Sequence, residues 1–374
     1  MIIYYINFLA LSLLALPWLK FPKKLFFYYK IFTIIYLFIF LATRIDVGGD
    51  YQNVKNLYSY SFYSYGKDNA FSILPIILDG SFLIALRGFS NQIVGNLLIV
   101  LSWFGLEYRF YIFFSSFIFL LGFFALYIKN KNFFFITAMS CSWFILVAGM
   151  GYIRQSISIG LVMLSIYFIV YKKKIIISIF FSSLSIMFHS SAIIFLIFYI
   201  FLIKKLYLRS SILIFIFTIV TSGVLVYPEI FLRLGTAEQS PLKILRIATH
   251  LPSLFFIILY WRYLKNSLES KLYLYYGFIC TLIIPLIFFF TIADYQFFEK
   301  KDSFILLIYD RLLIIVIPIQ LLLISSIINL QKKNIALYLK SSILIVYFML
   351  LHLWFVYSWN SRAWFPYKSI LFLE

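Results

Sequence analysis

Arginine and lysine occupy different parts of this chain. An arginine side chain presents a planar fork of donors that matches phosphate oxygens two at a time and stays charged. Interfacial snorkelling or pairing with an acid would explain any single arginine. Seven of the ten arginines, however, lie at the ends of apolar segments away from the lysine clusters: Arg44, Arg109, Arg154, Arg233, Arg246, Arg311 and Arg362. We expect such a grouping to bind a diphosphate.

Two short stretches that contain arginines of this group also combine glycine with other polar or charged residues. In "TRIDVGGDYQNV", Arg44 is followed by Asp46, by the flexible pair Gly48-Gly49 and by Asp50. Glycine pairs let backbone amides approach a ligand, although this pair could equally make only a turn.

In "GMGYIRQSISIGL", glycines interrupt one helix and Arg154-Gln155 open the next. Exposed amides at a helix N-terminus beside an arginine favour anion binding.

The stretch "MFHSSAII" places His189, Ser190 and Ser191 inside a long apolar run. An ionisable group in a membrane helix is costly and usually lines a watery path, so His189 is a functional candidate. The alternative is that the histidine and serines only cap the following helix, since serine is a preferred N-cap. Both interpretations can hold together.

The composition indicates an integral membrane protein made of helices. Of 374 residues, 64% are hydrophobic and only 12% are charged. Soluble domains contain about 25% charged residues. The apolar runs do not alternate as membrane strands would. Cys141 and Cys280 lie within such runs, which argues against a disulfide framework or a thiol-rich metal site.

The apolar pattern predicts about eleven to fourteen transmembrane helices in a single domain, 1–374, including short or re-entrant segments. The segment 71–86 contains Pro75, Asp79 and Gly80 and is a candidate re-entrant element. The predicted spans are 2–19, 25–43, 71–86, 89–106, 109–128, 133–149, 155–171, 174–188, 189–203, 210–228, 244–264, 271–292, 304–328 and 335–358. The longer outward loops are predicted at about 44–70, 229–243 and 293–303.

Lysine clusters between the spans set the predicted orientation, because lysine and arginine in short loops favour the cytoplasm. The net charge of +19 comes from these clusters, so anionic lipid or an anionic substrate is a better partner than nucleic acid. If all clusters are cytoplasmic, both chain ends face outward. The segment between Lys174 and Lys204 then leaves and returns to one side, which places a turn near His189.

Five motifs, in order along the chain, resemble the EpsG-like branch of the Wzy-type O-antigen and exopolysaccharide polymerases. The motifs are Arg44 to Tyr51, Tyr152 to Gln155, Lys173 to Ala192, Tyr309 to Arg311, and Trp364 to Lys368. The resemblance implies an all-α polytopic protein of GT-C-like architecture in the bacterial inner membrane. It also implies a glycosyltransferase that joins oligosaccharide repeat units linked to undecaprenyl diphosphate, as both donor and acceptor, at the periplasmic face. Such enzymes use no nucleotide sugar, cofactor or metal.

This chemistry assigns roles to the candidate residues. Cations must stabilise the leaving diphosphate, and a base must deprotonate the attacking sugar hydroxyl. We assign Arg154 and Arg311 to the diphosphate, with Arg44 and Arg246 in support. His189 is the first choice of base because the ordinary imidazole pKa is about 6.5, and Asp50 or Asp46 is the rival. The supporting residues are Gln155, Ser190, Tyr51 and Asp310, of which Asp310 either orients Arg311 or contacts the acceptor sugar.

Two other functions fit many spans and outward arginines. A flippase or transporter of lipid-linked sugar usually shows internal repeats, and none is visible in the chain. An O-antigen ligase or an acyltransferase on a similar scaffold is the other alternative. A flippase and a chain-length regulator are also expected as protein partners of a polymerase.

Overall fold

The computed structural model describes most of the chain as helices. The described residues are 1–16, 22–64, 93–94, 96–98, 100–101, 104–202, 249–265, 267, 269–297, 304–357, 363–364, 367–369 and 371. In these ranges there is no strand, and Arg44 and Ser369 form an isolated antiparallel bridge. The all-α fold class is therefore confirmed.

The helices follow the predicted spans closely. Before the middle of the chain they are α1 (Ile2–Ala15), α2 (Lys23–Ala42), α3 (Tyr51–Ser64), α4 (Tyr108–Tyr127), α5 (Phe133–Ser140), a π-helical segment (Cys141–Gly151), α6 (Ile153–Val170) and α7 (Ile175–Phe188). A 3-10 turn (Ser190–Ala192) and α8 (Ile193–Leu202) follow. The remaining helices are α9 (His250–Leu264), α10 (Ser270–Phe297), α11 (Phe304–Leu330) and α12 (Lys333–Tyr357).

Several helices are long and apolar enough to cross a bilayer, which makes the chain a multi-pass membrane protein. Among the described residues there are five: Lys24–Ala42, Tyr108–Tyr127, Ile153–Val170, Arg311–Leu330 and Lys333–Val356. A sixth results if Phe133–Ser140 and Phe144–Gly151, which are bent by 60°, form one broken span.

The total of eleven to fourteen spans stays a prediction. Segments 71–86 and 210–228, and the predicted loop 229–243, lie outside the described residues. Within the predicted loop 44–70, residues 51–64 form helix α3, and α10 extends to Phe297 inside the predicted loop 293–303.

The chain divides into two compact units. The first comprises Met1–Gly80, Ile84–Ser190 and Ile328–Glu374, and the second comprises Ser81–Leu83 and Ser191–Ile327. The prediction of a single transmembrane domain is untested by this division.

In the first unit, α4 and α6 approach closely and run parallel. Gly122 lies against the Gly160 carbonyl, and a Cβ on Gly160 would be 2.5 Å from the Ile118 oxygen. Toward the start of both helices, Ser115 Oγ donates to the Ile153 carbonyl at 2.9 Å. Small residues let membrane helices pack backbone to backbone in this way.

A ladder of serines joins α6 to α7 in antiparallel register. Ser158 and Ser185 share a hydrogen bond of 2.8 Å, and Ser165 bonds Ser178 at the same distance. Moving seven residues along α6 thus moves the partner seven residues back along α7. Side-chain hydrogen bonds between membrane helices contribute about 0.6 kcal/mol each on average.

The second unit contains a buried polar network between its helices. His250 Nδ1 lies 2.8 Å from the Tyr276 hydroxyl, and Gln320 Nε2 donates to the Thr249 carbonyl at 2.9 Å. The Tyr275 hydroxyl donates to the Ile194 carbonyl at 2.7 Å, which connects α8 with α10.

Gly160→Ala tests the close approach of α4 and α6. The added methyl would force the helices apart, so we expect the free energy of unfolding to fall by about 1–3 kcal/mol. The measurement is thermal unfolding of the detergent-solubilised protein. Gly277→Ala is the matched control, because its Cβ would meet only the Ile257 side chain at 3.5 Å. Equal melting of both variants would contradict the packing described.

Candidate active site

A broken helix ends where α6 begins. The π-helical segment ends at Gly151, and Ile153 starts α6 with Arg154 as its second residue. The predicted interruption before Arg154-Gln155 is therefore confirmed. Gln155 is buried and Arg154 is partly exposed. π-helical bulges are often found at functional sites.

The acidic turn after α2 docks against this bend. Asp46 and Gly48 have positive φ angles of 51° and 107°. The Asp50 backbone N–H donates to the Gly151 carbonyl at 2.9 Å, so two segments about 100 residues apart are joined directly. A Cβ on Gly48 would lie 2.7 Å from the Met150 oxygen, and only glycine fits there. Asp50 then precedes α3, where its carbonyl accepts the Val54 N–H at 3.0 Å.

The C-terminal residues hold this turn in place. The Gly48 N–H donates to the Ala363 carbonyl and the Ile45 N–H donates to the Lys368 carbonyl, both at 2.9 Å. Trp364 is buried, its indole N–H donates to the Leu146 carbonyl at 3.2 Å, and its ring occupies the space beside Gly151. The described tail residues 363–364 and 367–369 are thus part of the site's frame.

Arg44 is a buried cation. It is 1% exposed, and its Nη1 donates to the Leu41 carbonyl and to Ser116 Oγ. Among the described residues, its Nε and Nη2 have no hydrogen-bond partner. Burial lowers the pKa of the guanidinium to about 10, while the Tyr367, Tyr51 and Tyr4 hydroxyls act in the opposite direction, so the group stays charged near neutral pH. This burial argues against snorkelling for Arg44.

His189 lies level with Arg154. Continuing the serine ladder four residues beyond Ser158 on α6 reaches Arg154, and four residues beyond Ser185 on α7 reaches His189. Phe188 packs in the same apolar cluster as Tyr51, Tyr111 and Ile153. The end of α7 and the starts of α3, α4 and α6 therefore meet at one end of the first unit.

The break at His189 falls where it was predicted. Helix α7 ends at Phe188, His189 is extended with φ −154° and ψ 121°, and the 3-10 turn begins at Ser190. Ser191 starts the second unit, so the outward hairpin stays a prediction.

Described arginines of the first unit all lie at this end, and most of its lysines lie at the other. Arg109, near the start of α4, forms an exposed ion pair with Glu107 at 3.5 Å. At the opposite end, Lys30 Nζ donates to the Ile128 carbonyl at 2.6 Å. The lysines at or near that end are Lys23, Lys24, Lys30, Lys129, Lys131, Lys172, Lys173, Lys174, Lys332, Lys333 and Lys340, while Lys55 and Lys368 are exceptions on α3 and the tail. This polarity agrees with the charge pattern from which the orientation was predicted.

The remaining candidates belong to the second unit or lie outside the described residues. Arg311 begins the membrane-spanning part of α11 in the second unit. Asp310 lies in the same helix, but its side chain is outside the described part of the structure, as is the whole of Arg246. Within the described ranges no three His, Cys, Asp or Glu side chains group as metal ligands would. The independence from metal stays a prediction.

Two aromatic side chains at this end, Tyr51 and Trp364, are packed inside the protein. Tyr51 is 1% exposed, and its ring lies 5.8 Å from that of Tyr108 in an edge-on contact. The Trp364 ring makes a similar contact with Trp354 at 4.9 Å. Neither ring therefore presents a free face for stacking on a sugar.

The sequence did not single out Tyr111. This tyrosine of α4 is 1% exposed and lies within electrostatic reach of Arg154 and Asp50. Among 30 tyrosines in the chain, no local pattern distinguishes it.

A comparison with known protein families shows to which family the chain belongs. The profile of the EpsG family matches residues 27–369, which is nearly the whole chain. The chain belongs to the EpsG family. Membership supports a polymerase-type role in exopolysaccharide biosynthesis, and a glycosyltransferase-like activity. No curated protein and no solved structure matches the chain.

The matched range contains every EpsG-like motif on which the resemblance was based. It starts within α2 and ends at Ser369, the residue that bridges to Arg44. The suspected family is confirmed.

Trp364→Ala tests the role of the tail in this EpsG-family site. Losing the indole leaves a cavity beside Gly151, so we expect the free energy of unfolding to fall by about 3–5 kcal/mol. Thermal melting in detergent measures it. Trp261→Ala serves as the control because Trp261 is only partly buried in α9. If the two variants melt alike, the tail does not hold the turn.

Proposed function

We propose that this EpsG-family protein is a polysaccharide polymerase that joins oligosaccharide repeat units carried on undecaprenyl diphosphate. The observation that carries the proposal is the location of Arg154 and Asp50 at one end of the first unit, where the extrapolated serine ladder also puts His189. A cation at a helix N-terminus suits an anionic leaving group, while a histidine and an aspartate supply possible bases.

The proposed reaction is a glycosyl transfer. A base takes the proton from the acceptor hydroxyl, and the oxygen forms a bond with the anomeric carbon of the donor sugar. The bond from that carbon to the diphosphate oxygen breaks, and undecaprenyl diphosphate leaves with the electron pair. Negative charge grows on the diphosphate, so fixed positive groups near it lower the barrier.

Arg154 and the amides at the start of α6 are the proposed diphosphate contacts in the first unit. Arg44 adds a buried positive charge at the same end, and a buried cation favours an anion nearby. Arg311, with Arg246 in support, keeps its proposed role in binding the diphosphate. Asp310 would orient Arg311 or contact the acceptor sugar.

His189 is the proposed base because it lies level with Arg154 at the end of α7. Asp50 is the rival, since its backbone is fixed to Gly151 at 2.9 Å. Asp46 is exposed in the turn and is the weaker rival. We propose that three further residues support the site: Gln155, Ser190 and Tyr51.

The proposed location is the bacterial inner membrane, with the arginine end facing the periplasm. This orientation follows the lysines at the opposite end of the first unit. Membrane lipids, a flippase that delivers repeat units and a chain-length regulator are the proposed partners. The chemistry assigned here needs no cofactor, because the lipid diphosphate already activates the donor sugar.

Complementation of a deletion strain tests the function. His189→Ala, Asp50→Ala, Arg154→Ala and Arg311→Ala are compared with wild type by gel analysis of surface polysaccharide. His352→Ala is the matched control, because His352 is exposed on α12 beside Tyr5. We expect Arg154→Ala and His189→Ala to lose the ladder but retain a single repeat unit, at normal protein level.

Other outcomes of the same gel contradict the proposal. Loss of all surface polysaccharide would favour the flippase alternative. Full-length chains that remain lipid-linked and unattached would favour a ligase. A normal ladder with His189→Ala would remove histidine as the base.

Arg44→Met separates function from stability. Arg44 has no ion-pair partner among the described residues, so replacing it by an apolar side chain of similar length is expected to leave stability unchanged or to raise it by about 1–4 kcal/mol. The same change should abolish or strongly reduce the ladder. Thermal melting and the gel are measured on one preparation, with the exposed Arg109→Met as control. A destabilised Arg44→Met with a normal ladder would mean that Arg44 is structural.

A further inference from the structure

Tyr111 lies on the face of α4 that meets the start of α6. It precedes Ser115 by one helical turn, so both side chains lie on one face. Ser115 contacts the Ile153 carbonyl at 2.9 Å. Because α4 and α6 run parallel, one turn earlier on α4 corresponds to the bend around Gly151. The same bend receives the Asp50 N–H.

The Tyr111 hydroxyl is buried without a hydrogen-bond partner among the described residues, and the side chain is 1% exposed. Arg154 and Asp50 are the charged groups that act on it. Buried hydroxyl groups are nearly always hydrogen-bonded, since desolvation without a partner is unfavourable. A donor with a positive group beside it is well suited to an anionic ligand.

Packing of the ring does not explain why this side chain carries a hydroxyl group. The Tyr111 ring belongs to an apolar cluster with Tyr51, Ile112, Ile153 and Phe188. A phenylalanine ring would fill that cluster equally and would leave no polar atom unsatisfied. The hydroxyl therefore points to a function in binding.

We propose that Tyr111 is a substrate contact, whose hydroxyl donates a hydrogen bond to a phosphate oxygen of the lipid diphosphate held by Arg154. This inference rests on the proposed function. A phenol keeps its proton at neutral pH, so it adds a neutral donor beside the guanidinium. Hydrogen bonds to charged oxygens are the stronger kind, and the contact fixes the position of the leaving group.

Binding of undecaprenyl diphosphate to the purified full-length protein in detergent tests the proposal. Tyr111→Phe removes one oxygen atom and is expected to weaken binding about 10- to 100-fold, as loss of a hydrogen bond to a charged group does. Its thermal stability should equal or exceed that of the wild type. Tyr127→Phe is the matched control, a fully buried tyrosine on α4 near the lysine end, and it should bind as the wild type does.

Arg154→Ala separates failure of this inference from failure of the proposed function. If Arg154→Ala weakens binding and Tyr111→Phe does not, the Tyr111 contact is wrong while the diphosphate site stands. If the wild type does not bind undecaprenyl diphosphate, both are wrong. A Tyr111→Phe protein that melts well below wild type would show that the hydroxyl is structural and would also overturn the proposal.

Discussion

The backbone contact between Asp50 and Gly151 is the interaction on which the site depends. It joins the turn after α2 to the bend before α6, and Trp364 closes the space on the other side of Gly151. A side chain on Gly48 would clash with the Met150 carbonyl, and a side chain on Gly151 would clash with the Trp364 ring. Three distant parts of the sequence thereby form one frame, and Asp50 is brought to the N-terminus of α6, where Arg154 is the second residue.

The charged residues are distributed unevenly between the two ends of the first unit. Lysines concentrate at one end of the first unit, the distribution from which its orientation is predicted, while Arg44, Arg109 and Arg154 lie at the other. Arg44 is kept inside the protein with part of its guanidinium unsatisfied among the described residues. A fold selected for stability alone would replace such a group, because burying an unpaired cation is unfavourable. Retaining it is understandable if an anionic substrate completes the site.

Most of the described helix boundaries could be predicted from the sequence, because the length of an apolar run and the positions of glycines determine them locally. Helix α7 ends within a residue of its predicted end, and the interruption before Arg154 lies where Gly149 and Gly151 indicated it. The placement of His189 level with Arg154 follows from extrapolating the serine ladder, whose register only the structure gives. The docking of Trp364 and the burial of Arg44 were not predictable, since both depend on contacts between residues hundreds of positions apart. Tyr111 was missed because burial, and not a sequence pattern, distinguishes it.

The most direct test of the account is reconstitution of the purified protein in liposomes with undecaprenyl-diphosphate-linked repeat units from its own host. Free undecaprenyl diphosphate and product length are measured together over time. The account predicts release of one undecaprenyl diphosphate for each new linkage, and no release by the Arg154→Ala protein. Chain growth without release of the lipid diphosphate, or release without chain growth, would contradict it.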